Sequence, residues 1–172
     1  MSKLMTLAVL FKALKAGQVK PSDDFVMSEN AWRKGGAPSG TSAMMVPVNQ
    51  KARVNELILG IIVQSGNDAA MSVAEALSGS EAEFAKVMTD EGKKIGLKAS
   101  TFANATGLYH PDHLTTARDL AVLARHIIRE HPEQYEKFAL REFVYRKHRF
   151  INRNPLLGGN GVDGLKTGYI KE

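Results

Sequence analysis

The 172 residues carry 23 Lys and Arg against 18 Asp and Glu, a formal net charge of +5, with 44% apolar and 24% charged residues. Such a chain is long enough to bury a real core and too apolar for disorder over most of its length. It has no cysteine, which excludes disulfides, thiolate metal sites and a cysteine nucleophile.

The elements follow in chain order. Leu4, Leu7, Ala8, Phe11 and Leu14 recur at helical spacing and Gly17 stands at a helix end, so an amphipathic helix of about four turns is predicted to start almost at Met1. These residues lack the basic, apolar and small-residue succession of a secretory leader. Pro21 to Asp24 reads as a turn. Residues 34 to 50, with Gly35, Gly36, Pro38, Gly40 and Pro47, read as loop with room for a short hairpin. Val54 to Val63 is apolar nearly all round, as a helix buried on most sides is. Its most apolar run, Leu57 to Val63, is too short to span a bilayer.

That helix stops at Gln64-Ser65-Gly66-Asn67, and another follows at once, with Asn67 predicted to cap Asp68 to Leu77. A tight polar turn between two buried helices must satisfy its own polar groups or present them to a ligand. Ser80 and Glu83 form a capping-box pattern ahead of Phe84, Val87, Met88, Glu91 and Ile95, and Gly96 ends that helix. Thr115 or Thr116 caps a further helix with Leu120, Leu123, Ala124, Ile127 and Ile128 on its inner face. Glu142 to Arg146 alternates as a half-buried strand does, with Phe143 and Tyr145 on one side. The basic run Arg146-Lys147-His148-Arg149 is read as a solvated strand or loop, not as a nucleic-acid surface. Asn152 to Pro155 and Gly158 to Gly161 are turns, and Val162 to Gly168 is predicted to begin a strand. Helices dominate, and most strand content falls late in the chain.

Three segments concentrate chemistry: Met1-Ser2-Lys3 at the start of the first helix, Ser65-Gly66-Asn67 in the interhelical turn, and Lys166-Thr167-Gly168 near the end. His110, Asp112 and His113 form a weaker cluster. They lie in a proline-containing loop with no third ligand motif, so no metal site is predicted. His126 and His131 flank a helix end, where a histidine complements the dipole.

Taken together, the three segments resemble the penicillin-recognising serine enzymes, whose signature is Ser-x-x-Lys, Ser-x-Asn and Lys-Thr-Gly. Within that superfamily the chain is similar to the low-molecular-mass D-alanyl-D-alanine carboxypeptidases. The similarity runs through Lys3-Leu4-Met5-Thr6, Gln64-Ser65-Gly66-Asn67-Asp68-Ala69, Thr106-Gly107-Leu108, Thr116-Ala117-Arg118-Asp119-Leu120 and Val162-Asp163-Gly164-Leu165-Lys166-Thr167-Gly168. It implies an α+β fold: the helix-rich part of a penicillin-binding-protein or β-lactamase-like domain with an incomplete antiparallel sheet, residues 1–172 forming one partial domain.

The resemblance also implies a reaction. A serine attacks the carbonyl between the two terminal D-alanines of a peptidoglycan stem peptide, and water then releases the acyl-enzyme. Lys3 would be the base, Ser65 a proton relay and Asn67 a ligand of the substrate amide, while Lys166 and Thr167 would hold the terminal carboxylate and Gly168 would give the backbone room to approach the ligand. β-Lactams would act as inhibitors, and no metal or organic cofactor is required. A β-lactamase is disfavoured, because no segment resembles that family's acidic deacylation loop.

Aligning Lys3 with the motif lysine places the nucleophilic serine immediately before Met1. Ser2 is adjacent to Lys3 and points about 100° around the helix, so it is not expected to substitute. The chain is therefore expected to be truncated at both ends and inactive as written, the alternative being a non-catalytic remnant that binds D-Ala-D-Ala or β-lactams. Action in the periplasm or at the periplasmic face of the inner membrane is implied for the full-length family member. No nucleic-acid partner is expected, and membrane association would come only through segments outside these residues.

Overall fold

The computed structural model describes residues 2–168. Helix α1 (Lys3–Lys15) is followed by strand β1 (Asp24–Val26), helix α2 (Glu29–Gly35), strand β2 (Lys51–Arg53) and helix α3 (Val54–Leu59). A π-helical turn, Gly60–Gln64, leads into α4 (Asn67–Ser78), α5 (Glu81–Ile95), α6 (Ala117–Glu130) and the short α7 (Pro132–Tyr135). A hairpin of β3 (Glu142–Tyr145) and β4 (His148–Ile151) comes last. The architecture is α+β and helix-rich, with two small antiparallel sheets, β1–β2 and β3–β4.

Helix α1 is the axis of the fold. Every residue from Lys3 to Phe11 is buried, because α4, α5 and α6 all pack against it. The amphipathic reading of its sequence is thus corrected: the helix has no solvent face until Lys12. Its leucines, alanines and methionine are strong helix formers, and burial on all sides selects for apolar residues all round. Two polar side chains in its first turn, Lys3 and Thr6, are buried with the rest.

Helix ends follow local chemistry. Ser80 accepts the Glu83 amide at 3.1 Å, but Glu83 turns to Lys86 at 2.6 Å, so the predicted capping box is half made. Thr116 caps α6 by accepting the Asp119 amide at 3.1 Å. Gly79 and Gly96 close α4 and α5 in the left-handed region. On α6, Leu123 and Ile127 are buried while Ile128 is exposed, which narrows the predicted inner face. Val87 of α5 is exposed as well.

Asn67 is not the cap of α4. Gly66 occupies that position, and the Asn67 side chain makes no capping bond; its amide group is engaged elsewhere. The π-turn before it is closed by Gly66 N–H donating to Gly60 O at 3.0 Å. Met44 packs so tightly against Gly60 that a β-carbon there would collide with its sulfur.

Several short elements were not foreseen, α2, β1 and β2 among them. Helix α2 is capped by Ser28, which accepts the Ala31 amide at 3.0 Å, and Phe25 of β1 pairs with Ala52 of β2. At Gly35 a β-carbon would fall 2.6 Å from Asp68 N and 2.7 Å from Asn67 C. Only glycine lets the end of α2 rest on the start of α4. In the hairpin, Phe143 and Tyr145 face inward as predicted. The basic run supplies its turn, with Arg146 and Lys147 at positive φ. Residues 162–168 are not in a strand; the predicted strand finds no ladder partner among the described residues, and a strand exists only by its pairing.

Candidate active site

The two predicted groups in direct contact are Lys3 and Asn67. Lys3 Nζ donates to Asn67 Oδ1 at 2.6 Å and to the Thr106 carbonyl at 2.6 Å. One turn on, the Thr6 hydroxyl donates to the Ala105 carbonyl at 2.7 Å. The first turn of α1 is therefore clamped between the start of α4 and the loop that precedes α6.

Asn67 is held from its other side. Its Nδ2 donates to Thr41 Oγ1 at 2.9 Å, Thr41 shares a bond of 2.7 Å with Ser39, and the Asn67 amide donates to Ser42 O at 2.7 Å. Asp68, fully buried, accepts the Met44 amide at 2.8 Å, the Ala69 amide at 2.9 Å and the Val46 amide at 3.4 Å. The loop of residues 39–46 is thereby wired to the Asn67–Asp68 step. Burial pushes the Asp68 carboxyl up, and these amides oppose the shift. Ser65, two residues before Asn67, sits in the left-handed region at φ 62, a conformation uncommon outside glycine and asparagine.

The ammonium of Lys3 is expensive to charge. Desolvation, followed by the charges of Lys166 and Arg153, lowers its pKa to about 7. Lys166 is also buried, and desolvation with the charge of Arg153 brings it down to about 8. Lys166 Nζ donates to Thr167 O at 3.0 Å. Burial and neighbouring cations thus lower both lysines from their ordinary range. Thr167 and Gly168 follow directly, with no hydrogen bond to Lys3 or Asn67 among the described residues. The approach to Lys166 is braced by Tyr135, whose hydroxyl donates to Asp163 at 2.7 Å, and by Asn154, which donates to Gly164 O at 3.0 Å.

Ser2 is committed to another partner. Its hydroxyl lies 2.5 Å from His113 Nε2, and His113 Nδ1 accepts the Ala103 amide at 3.3 Å. With Nδ1 accepting, Nε2 carries the proton and donates to the serine oxygen. The imidazole in this tautomer is a donor to Ser2 and not a base for it. Burial lowers the His113 pKa further, which favours the neutral ring. Among the described residues no group of three or more His, Cys, Asp or Glu is placed to hold a metal ion.

Sequence reasoning missed several contributors. Thr41 carried no motif. Thr106 stood in a segment singled out only for its resemblance, and it acts through a carbonyl that any residue could supply. Asp68 stands in the sequence only as the first residue of a predicted helix, yet it anchors a distant loop. Arg153 lay in a predicted turn with nothing to distinguish it.

The family model for D-alanyl-D-alanine carboxypeptidase matches residues 1–172. The chain is 39% identical over 171 residues to the D-alanyl-D-alanine carboxypeptidase DacC of Escherichia coli, covering 98% of this chain and 43% of that protein. It is 38% identical over 179 residues to DacF of Bacillus subtilis, covering 100% of this chain and 44% of that protein. Among solved structures, penicillin binding protein 5 of Haemophilus influenzae superimposes with a TM-score of 0.92 at 36% identity, over 98% of this chain and 49% of that one. A penicillin-binding protein of Listeria monocytogenes in its ampicillin-bound form matches with a TM-score of 0.84 at 28% identity, over 99% of this chain and 68% of that one. The chain thus spans less than half the length of the curated relatives named here. From the match of family model, relatives and fold along its whole length, the chain belongs to the D-alanyl-D-alanine carboxypeptidase family.

Proposed function

We propose that these residues carry the proton-transfer and carboxylate-binding groups of a serine-type D,D-carboxypeptidase that removes the terminal D-alanine of peptidoglycan stem peptides. The observation that carries the reading is Lys3: a buried lysine on the first turn of the central helix, fixed by Asn67 and Thr106, with a pKa of about 7. A lysine of that kind is substantially neutral at physiological pH and can accept a proton, which an ordinary lysine cannot do.

In this reading a serine three positions before Lys3, one helical turn away, is the nucleophile, and Lys3 takes its proton as the acyl-enzyme forms. Ser65 passes a proton to the departing amine. Asn67 binds the substrate amide while holding Lys3 in place. Lys166 pairs with the terminal carboxylate together with Thr167, and Gly168 leaves room for the backbone to approach. Ser2 takes no part, because its hydroxyl is spent on His113. The substrate places the reaction on the cell-wall side of the membrane, with residues 1–172 acting as a single unit. Among the described residues, no helix is long and apolar enough to cross a membrane.

The test is intact-mass analysis after incubation with a penicillin, which mimics the D-Ala-D-Ala end. Two chains are compared: residues 1–172, and a longer chain with a serine three positions before Lys3 and sequence continuing past Glu172. The longer chain is expected to gain one penicillin mass and residues 1–172 none. No gain in either leaves a non-catalytic role for the site. A gain on residues 1–172 makes Ser2 or another residue reactive and overturns the assignment of the nucleophile.

A further inference from the structure

Glu81 opens α5, and its carboxylate turns inward, where Oε1 accepts the Ala105 amide at 3.0 Å. Acids at a helix start ordinarily lie in water beside the terminal amides. Here Ser80 already serves as the cap, and Glu83 occupies the solvent side with Lys86. Glu81 is instead half-buried against the loop behind Lys3.

The residue it grips is significant. Ala105 offers its carbonyl to Thr6, and the next carbonyl, that of Thr106, accepts Lys3 Nζ. Glu81 therefore holds, from the far side, the two-residue stretch on which both buried polar side chains of the first turn of α1 depend. Within residues 104–108 Asn104 Oδ1 accepts the Gly107 amide at 2.7 Å, and Asn104 Nδ2 donates to Leu108 O at 2.9 Å. Just upstream, Thr89 of α5 accepts the Phe102 amide at 3.0 Å, and His113 links the Ala103 amide to Ser2. None of these bonds engages the Ala105 amide, which Glu81 accepts.

Charge points the same way. Lys3 faces Lys166 and Arg153 from the C-terminal segment, Asp68 from α4 and Glu81 from α5. Glu81 in turn faces Lys34 of α2, Glu75 of α4 and Lys3. Two carboxylates thus stand against the two cations that crowd Lys3, and Asp68 is already occupied by three backbone amides.

We propose that Glu81 is a positioning residue for Lys3, holding the Ala105–Thr106 peptide against the first turn of α1 and supplying negative charge beside a site crowded by cations. The inference rests on the reading of Lys3 as the base, but its test does not require turnover. Removing the carboxylate charge favours the neutral form of Lys3, so Lys3 titrates at lower pH. Removing the acceptor as well frees the Ala105 amide.

Lys3 is followed by lysine-selective carbon NMR in residues 1–172, its resonance identified by loss in Lys3→Met, and Ala105 by amide hydrogen exchange. Glu81→Gln keeps an acceptor and loses the charge. It is expected to lower the Lys3 midpoint by about half a pH unit and leave Ala105 exchange within about twofold of the parent. Glu81→Ala is expected to speed Ala105 exchange about tenfold or more. An unchanged Lys3 midpoint in both variants, or unchanged Ala105 exchange in Glu81→Ala, overturns the proposal. In the longer chain, the acid limb of penicillin acylation is expected to move to lower pH in Glu81→Gln, and an unmoved limb counts against it. If the longer chain is not acylated at all, the carboxypeptidase reading fails, while the titration and exchange results still decide the role of Glu81.

Discussion

Replacing Lys3 by methionine isolates the energetics of the buried ammonium. In the fold its pKa falls from 10.5 to about 7, so a charged Lys3 costs roughly 5 kcal/mol more than a neutral one. The unfolded chain binds the proton up to about pH 10.5 and the folded chain only up to about pH 7. Between those values the unfolded state carries more protons, and the parent gains stability as the pH rises, by about 1.4 kcal/mol per pH unit at most. The contribution is fully present above the unfolded pKa and lost as the pH falls through the folded one. Methionine is close in length and has no proton to lose. It also leaves Asn67 Oδ1 and the Thr106 carbonyl without their donor, a pH-independent cost of about 1–3 kcal/mol for each group left unsatisfied. That cost sets the offset between the two proteins and not its slope. Urea unfolding of parent and Lys3→Met from pH 6 to pH 10 reads the difference directly. The variant is expected to be at its best, relative to the parent, at and below about pH 7, and to lose ground steadily above it. A difference that stays flat from pH 7 to pH 10 would refute the argument, because it would mean that folding does not perturb the titration of Lys3.

Two further substitutions probe the supports of the site. In Gly35→Ala the new β-carbon meets the backbone of Asn67 and Asp68 at 2.6–2.7 Å, so α2 and α4 must part. Calorimetry or urea unfolding should show a loss of about 3 kcal/mol, with penicillin acylation of the longer chain falling alongside as Asn67 leaves Lys3. In Asp68→Asn the buried charge is removed. Burial raises the parent carboxyl, so the parent is penalised as the pH rises through the carboxylate range and the amide is not. The stability of Asp68→Asn relative to the parent should therefore improve from pH 3 to pH 7, and a relative decline over that interval would show that the three amides outweigh desolvation.

The elements legible in the sequence were those whose signals are local. Helices α5 and α6 announced themselves by caps at Ser80 and Thr116, by the glycine after Ile95 and by apolar periodicity. The β3 strand showed alternation at Phe143 and Tyr145. The elements that escaped were too short to carry a pattern: three residues of β1 contain no alternation, and they become a strand only because residues 51–53 come alongside. The predicted strand over residues 162–168 fails for the same reason seen from the other side, since extended sequence without a neighbour is not a strand.

What the sequence determined by itself was the set of chemical groups and the family: Lys3 at a helix start, Ser65 and Asn67 in a turn between buried helices, and Lys166 near the end. Tertiary structure alone decided what those groups are. Lys3 meets partners 64 and 103 residues away, and one of them is a backbone carbonyl with no signature in any side chain. Asn67 reads in the sequence as the cap of its helix, and only the approach of α1 and of Thr41 turns its side chain to Lys3 instead. The lowered pKa of Lys3 belongs to no residue in isolation. It follows from desolvation and from charges, Lys166 and Arg153 first, that the fold brings from far along the chain, and such long-range electrostatics cannot be read from local order.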